Sequence, residues 1–245
     1  MALNLTIDQG NSAAKLALWR DGELAGIRIE SELTPAAMEQ FLMRHPGVDA
    51  AIYCSVASRG DDLAEILRRR VPRIMRLDSN TKLPIAIDYA TPSTLGADRV
   101  AAAVGAWEMY AGSPLLVVDA GTAVTYDAVS HDGHFLGGNI APGMRMRLEA
   151  LHRFTARLPR VEVPRSISYD GFMGTDTPSA MILGAVYGIV GAISYYRSHL
   201  PADTRTVMTG GWASELGRLC DFEVTVDPHL VSRGLNRILT YNENK

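Results

Sequence analysis

Leu5-Thr6-Ile7-Asp8-Gln9-Gly10-Asn11-Ser12 is an apolar run ending in Asp-x-Gly and a small polar pair. Leu116-Val117-Val118-Asp119-Ala120-Gly121-Thr122 repeats that grammar 111 positions later (119 − 8). Each copy continues into more strand-like sequence, Lys15-Leu16-Ala17-Leu18-Trp19 and Ala123-Val124-Thr125-Tyr126-Asp127. In a phosphate-gripping hairpin, glycine lets backbone N–H groups approach an anion with no Cβ in the way. Asn11 and Ser12 add donors, Lys15 can reach the same phosphates from the returning strand, and a carboxylate beside them suits a hydrated Mg²⁺. One copy would read as ordinary turn chemistry. Two copies, each between buried strands, predict two related αβ halves with a phosphate cleft between them.

Working outward, residues 3–8, 14–19 and 24–30 read as strands, with Asp21-Gly22 as the hairpin turn. Thr34-Pro35 opens a helix to about Arg44, Ala50 to Val56 is a buried strand, Asp61 to Arg70 a helix, and Ile74 to Leu77 a strand. An alanine-rich helix is predicted from Pro92 to about Tyr110. The pattern then restarts with strands 115–119 and 123–128, helices at about 144–156 and 178–199, and strand 206–208. A helix from Ala213, a strand near Val224 and a helix from about Leu230 to Tyr241 follow. The expected division is 1–112 and 113–245, packed as one α/β unit.

With 47% hydrophobic and 21% charged residues and a net charge of −3, nothing favours nucleic acid or an anionic membrane as partner. Two cysteines build no disulfide framework and no zinc site. The apolar stretch Ala180 to Ile193 falls short of the roughly 20 residues of a membrane span. A reduced, cytoplasmic protein is expected.

Leu95-Gly96-Ala97-Asp98-Arg99 opens the alanine-rich helix. A charged pair at the start of a buried helix calls for a task. Asp98 can take the proton of a substrate hydroxyl, and Arg99 can hold a substrate carboxylate or phosphate. Gly137-Gly138-Asn139-Ile140-Ala141-Pro142-Gly143 reads as a glycine loop entering a helix, either an anion-facing helix N-terminus or a rigid connector. Thr209-Gly210-Gly211 would let a flat ligand lie on bare backbone. The P-loop, Gly-x-Gly-x-x-Gly and Gly-x-Ser-x-Gly are absent, and the six histidines show no ligand or triad spacing.

In this order the motifs resemble the type III pantothenate kinases, of the acetate and sugar kinase/heat-shock chaperone/actin superfamily. Asp8 to Lys15 is similar to the family's first phosphate motif and Asp119 to Thr125 to its second. Tyr89-x-x-Pro92-x-x-Leu95-Gly96-x-Asp98-Arg99 is similar to its pantothenate and catalytic segment, and Gly174-Thr175-Asp176-Thr177 to a later substrate-contact segment. Gln9, Thr91 and Thr175-Asp176 depart from the usual residues. The resemblance implies two ribonuclease H-like halves and ATP-dependent phosphorylation of pantothenate, the opening step of coenzyme A synthesis. It makes Asp98 the general base. ATP would be held by Asp8, Gln9, Gly10, Asn11, Ser12, Ala13, Ala14, Lys15 and Thr122, and pantothenate by Tyr89, Gly96, Ala97, Asp98, Arg99 and Thr177. It implies Mg²⁺ at Asp8, a monovalent cation (K⁺ or NH₄⁺) at Asp119 and a homodimer. Chemistry alone would give Asp119 to Mg²⁺. The rival readings are a kinase of the same superfamily with another small substrate, and a non-catalytic transcription-accessory protein on this fold.

Overall fold

Asp21 and Gly22 both take positive φ, 51° and 88°, the primed turn whose twist matches a two-residue hairpin. That turn joins β2 (Ala14–Arg20) to β3 (Glu23–Glu30), and β2 pairs antiparallel with β1 (Leu3–Gln9). Helix α1 (Pro35–Arg44) starts with Pro35, and its N-cap Thr34 accepts a hydrogen bond from Ala37 N. It carries the chain over to β4 (Ala50–Ser55), parallel to β1; α2 (Gly60–Arg70) does the same for β5 (Arg73–Arg76). The strand order is β3-β2-β1-β4-β5. Leu5, Ile7 and Leu16 of the sheet pack against Met38, Phe41 and Leu67 of the two helices. A two-residue strand β6 (Ala86–Ile87), a 3-10 turn at Pro92–Thr94 and α3 (Ala97–Met109) follow.

The computed structural model describes residues 2–10, 13–55, 60–164, 166–167 and 171–243. They divide into two units, Met1–Met109 with His229–Lys245, and Tyr110–Pro228. The second unit repeats the plan of the first. Strands β7 (Leu115–Ala120), β8 (Ala123–Val129) and β9 (His134–Pro142) form an antiparallel meander. Helices α4 (Met144–Phe154) and α5 (Thr177–Ser198) lead to β10 (Arg205–Thr209), parallel to β7; α6 (Ala213–Gly217) leads to β11 (Val224–Val226). Its five strands run β11-β10-β7-β8-β9, the same order by position as in the first unit. By length and composition α5 would pass for a membrane span. Its Met181, Ile182, Ala185, Val186, Ile189 and Ile193 are instead buried on Val118, Val124 and Tyr126 of the sheet.

Three expectations are corrected. Residues 137–142 are strand, not loop: Gly138 pairs with Asp127 and Pro142 with Ala123. The open edge of β8 supplies backbone partners, and pairing overrides the low strand propensity of glycine. The helix predicted from Pro92 is broken, because Leu95 is extended (ψ 126°) after the 3-10 turn. α3 therefore begins at Ala97 and carries Asp98 in its first turn. Finally, α7 (Leu230–Glu243) belongs with the first unit rather than with the second half. A Cβ on Gly234 would lie 1.7 Å from Ala101 O, so α7 meets α3 backbone to backbone. Asn4 Nδ2 also donates to Asn236 Oδ1 at 3.1 Å.

Candidate active site

The pairing of β1 with two neighbours builds the first half of the site. Asp8 is in register with Lys15 on β2 and with Cys54 on β4. The buried Cys54 thiol donates to Asp8 Oδ1 at 3.6 Å. Burial raises the Asp8 carboxyl above its ordinary value; Lys15 opposes this, the Asp98 carboxylate adds to it, and the thiol bond lowers it. Burial, then the charges of Asp8 and Asp98, push the Cys54 thiol well up. Gly10 N donates to Ala13 O at 3.1 Å and closes the hairpin, with Gln9 paired to Ala14. Asn11 and Ser12 lie outside the described residues.

The start of α3 supplies the second carboxylate. Arg99 N donates to Asp98 Oδ1 at 2.9 Å, so Asp98 answers an orphan amide of its own helix end. Gly96 makes room for it: a Cβ there would meet Asp98 Oδ1 at 2.5 Å. The Arg99 side chain is only 6% exposed, and its guanidinium lies 5.7 Å from the centre of the Tyr89 ring. A buried guanidinium stacked on an aromatic is pre-organised to receive a planar carboxylate. Asp8, Lys15, Tyr89, Gly96, Asp98 and Arg99 are thus drawn into one neighbourhood of the first unit. A cavity of about 500 Å³ opens beside them, sharing Leu95, Gly96 and Ala97 with the segment.

In the second unit Asp119 is the last residue but one of β7, and the turn Gly121-Thr122 leads into β8. Gly121 N donates to Ala123 O and Gly143 N to Thr122 O, both at 3.1 Å. Gly210 takes φ +92°, and a Cβ on it would meet Asp119 Oδ1 at 2.5 Å and Ala120 C at 2.6 Å. The Thr209-Gly210-Gly211 loop therefore lies on the second hairpin, which no local signal in the sequence foretells. Thr177 is exposed at the first position of α5. Its neighbour Asp176 caps the helix in a reciprocal capping box with Ser179, and bonds from the Ser179 backbone and side chain lower its carboxyl.

The family model for type III pantothenate kinases matches residues 4–199. A type III pantothenate kinase of Porphyromonas gingivalis is 39% identical over 246 residues, covering 99% of this chain and 100% of the relative. One from Phocaeicola vulgatus is 37% identical, covering 98% and 99%. The chain belongs to the type III pantothenate kinase family. A Campylobacter jejuni structure named for the Baf family of transcriptional activators superposes with TM-score 0.67 at 24% identity, covering 98% of this chain and 100% of that one. A Sinorhizobium meliloti structure named for a 2-dehydro-3-deoxygalactonokinase gives 0.62 at 16% identity, with 98% and 99% covered. These likenesses show the fold, that of sugar kinases and actin-like ATPases.

Two departures from the pattern of type III pantothenate kinases have local structural work. Thr91 Oγ1 lies 2.7 Å from Thr94 Oγ1 at the 3-10 turn before Gly96, and Asp176 caps α5. Cys54 was missed by sequence reasoning, because only the β1–β4 register brings it to Asp8. Among the described residues no group of three or more His, Cys, Asp or Glu could hold a metal ion. In kinase sites Mg²⁺ takes one or two carboxylates plus water and substrate phosphates, and the first hairpin offers the carboxylate of Asp8.

Proposed function

We propose that this chain transfers the γ-phosphoryl group of ATP to the primary hydroxyl of pantothenate, giving 4′-phosphopantothenate and ADP, the first step of coenzyme A biosynthesis. The observation that carries the reading is the pair of carboxylates, Asp8 and Asp98, mutually within electrostatic reach beside Lys15. It is supported by full-length relatives bearing that activity in their names. Asp98 orients the hydroxyl and takes its proton as the oxygen attacks the γ-phosphorus and the bond to the β-phosphate bridging oxygen breaks. The Arg99 guanidinium, held against Tyr89, receives the pantothenate carboxylate. Lys15 and the first hairpin, through Gln9, Gly10, Ala13 and Ala14, bind the ATP phosphates. Mg²⁺, held by Asp8 together with water and phosphate oxygens, would supply neutralisation of phosphate charge. A monovalent cation is assigned to Asp119, whose carboxylate lies among the backbone atoms of Ala120 and the glycine-bared loop at Gly210.

In this reading the protein works in the cytoplasm as a homodimer. Phe154, Phe172 and Met173 of the second unit are 80%, 70% and 72% exposed, large apolar side chains that a second copy would cover. Thr177, close by in sequence, is placed as a contact to pantothenate. The deciding experiment is ATP consumption with pantothenate, with K⁺ and Mg²⁺ supplied, alongside a panel of other small hydroxy acids. Turnover restricted to pantothenate supports the reading; turnover with another acceptor alone transfers it to another kinase activity. No turnover with any acceptor returns it to a non-catalytic role.

A further inference from the structure

A cavity of about 330 Å³, within the range of small-molecule sites, lies in the second unit where β10 begins. Residues 202–206, the chain entering β11 and Arg197 of α5 wall it. Strand register separates it from the reacting groups. Arg205 at the start of β10 pairs with Leu115, and Thr209 at its end pairs with Asp119. Four strand steps, roughly 13 Å, therefore lie between the Arg205 end and Asp119. No residue assigned above to ATP, pantothenate or a cation lines the cavity.

Its polar groups are unmet. Thr204 and Thr206 line it at 5% and 2% exposure, and neither buried hydroxyl has a hydrogen-bond partner among the described residues. Such a hydroxyl forfeits the bonds that water gives it in the unfolded chain. A staggered turn about χ1 carries it to the place of the methyl, so a ligand can meet it.

The charges lining the cavity also fail to meet. Arg197 is committed to the backbone, Nη1 donating to Pro201 O at 3.2 Å and Nη2 to Ala202 O at 2.7 Å. The Arg205 guanidinium lies 4.9 Å from the centre of the Tyr110 ring, and Tyr110 OH is held 2.8 Å from Thr225 Oγ1. Among the described residues Arg205 makes no ion pair or hydrogen bond through its side chain, and neither do the exposed carboxylates of Asp203 and Glu223. Stacking on the ring leaves the in-plane donors of Arg205 free for a carboxylate. Unlike charges that share a cavity without touching are satisfied together by a ligand that carries both signs. We propose that this cavity is a second ligand site, which takes a small zwitterion of the α-amino-acid class, its carboxylate on Arg205 and its ammonium on Asp203 and Glu223. The carboxylate also accepts from the threonine hydroxyls, and Phe222 offers a short side chain its apolar contact.

The probe is L-alanine, titrated into the isotopically labelled full chain under saturating pantothenate and followed by amide chemical shifts. Propanoate and ethylamine, each carrying one of its two charges, are the controls. Saturable shifts at residues 202–206 and 222–225 are expected, with each control at least about tenfold weaker, the worth of one hydrogen bond to a charged group. Arg205→Gln and Glu223→Gln, both on the surface, should each weaken L-alanine by about the same factor. Thr206→Val, close to isosteric, should weaken it too, with a dispersed spectrum reporting that the variant is folded. Absent saturation, shifts centred on residues 95–99, a control that binds as well as L-alanine, or undiminished binding by Arg205→Gln each overturns the site. Turnover plays no part in this readout, so its failure is distinct from failure of the kinase reading.

Discussion

At the scale of single residues, the site sets function against stability. The folded chain binds the Asp8 proton more tightly than the unfolded chain, whose carboxyl titrates near 3.8. By linkage, the contribution of Asp8 to stability is greatest below that pH and is lost as pH rises through the raised folded value. At neutral pH the ionised carboxylate is therefore a standing cost. Asp8→Asn should raise the melting temperature of the nucleotide-free protein at pH 7 by roughly 2–4 °C while removing phosphoryl transfer. A lower melting temperature would mean that Lys15 stabilises Asp8 by more than burial costs. Asp98→Asn should keep nucleotide binding and lose about 10²-fold or more in turnover; parent-like turnover would take the base role from Asp98. Arg99→Ala should raise the pantothenate KM by roughly 10- to 100-fold, the worth of a charge-assisted pair, and steady-state kinetics would show it. Both thiols should be slow toward Ellman's reagent at pH 7.5 in the native protein. Burial holds Cys54 protonated, and burial with Asp221 pushes Cys220 up to about 11.

Between elements, the decisive contact is α3 on α7. Alanine in a helix interior is ordinarily better than glycine by about 1 kcal/mol. At position 234 sterics win, because the new Cβ would sit 1.7 Å from Ala101 O and neither backbone can yield without parting the helices. Gly234→Ala should therefore destabilise by about 1–3 kcal/mol, the usual cost of overpacking, as read from denaturant midpoints. A neutral or stabilising result would show that the crossing is looser than the backbone geometry states. The hairpins were legible from sequence because Asp21-Gly22 and the two Asp-x-Gly turns are local chemistry. Strand β9 was not, because its two glycines speak for a loop and only the free edge of β8 overrides them. The broken start of α3 lies between these cases: Gly96 is a visible warning, but the extended Leu95 is set by the preceding 3-10 turn.

For the whole molecule, the chain order and the units do not coincide. The last helix returns to the first unit and buries Leu230, Leu235, Ile238 and Leu239 there. Four such side chains contribute roughly 6–12 kcal/mol, comparable to the whole net stability of a domain, about 5–15 kcal/mol. A chain ending after Pro228 should therefore fail to fold its first unit, detected as rapid proteolysis between Leu3 and Met109. Protection equal to that of the full chain would show α7 to be dispensable. The sequence by itself determined the repeated strand–turn–strand plan and the family. These rest on hydrophobic period, turn residues and short motifs, which act within a few positions. Only the tertiary structure decided that Cys54 bonds Asp8, that Gly210 lies on Asp119 and that α7 completes the first unit. Such contacts join residues tens to hundreds of positions apart, and burial and strand pairing select them without leaving a local mark. The same holds for Asp8 and Asp98: the doubled Asp-x-Gly was readable in the chain, but their shared neighbourhood arises only when β1 and the start of α3 are folded into one unit.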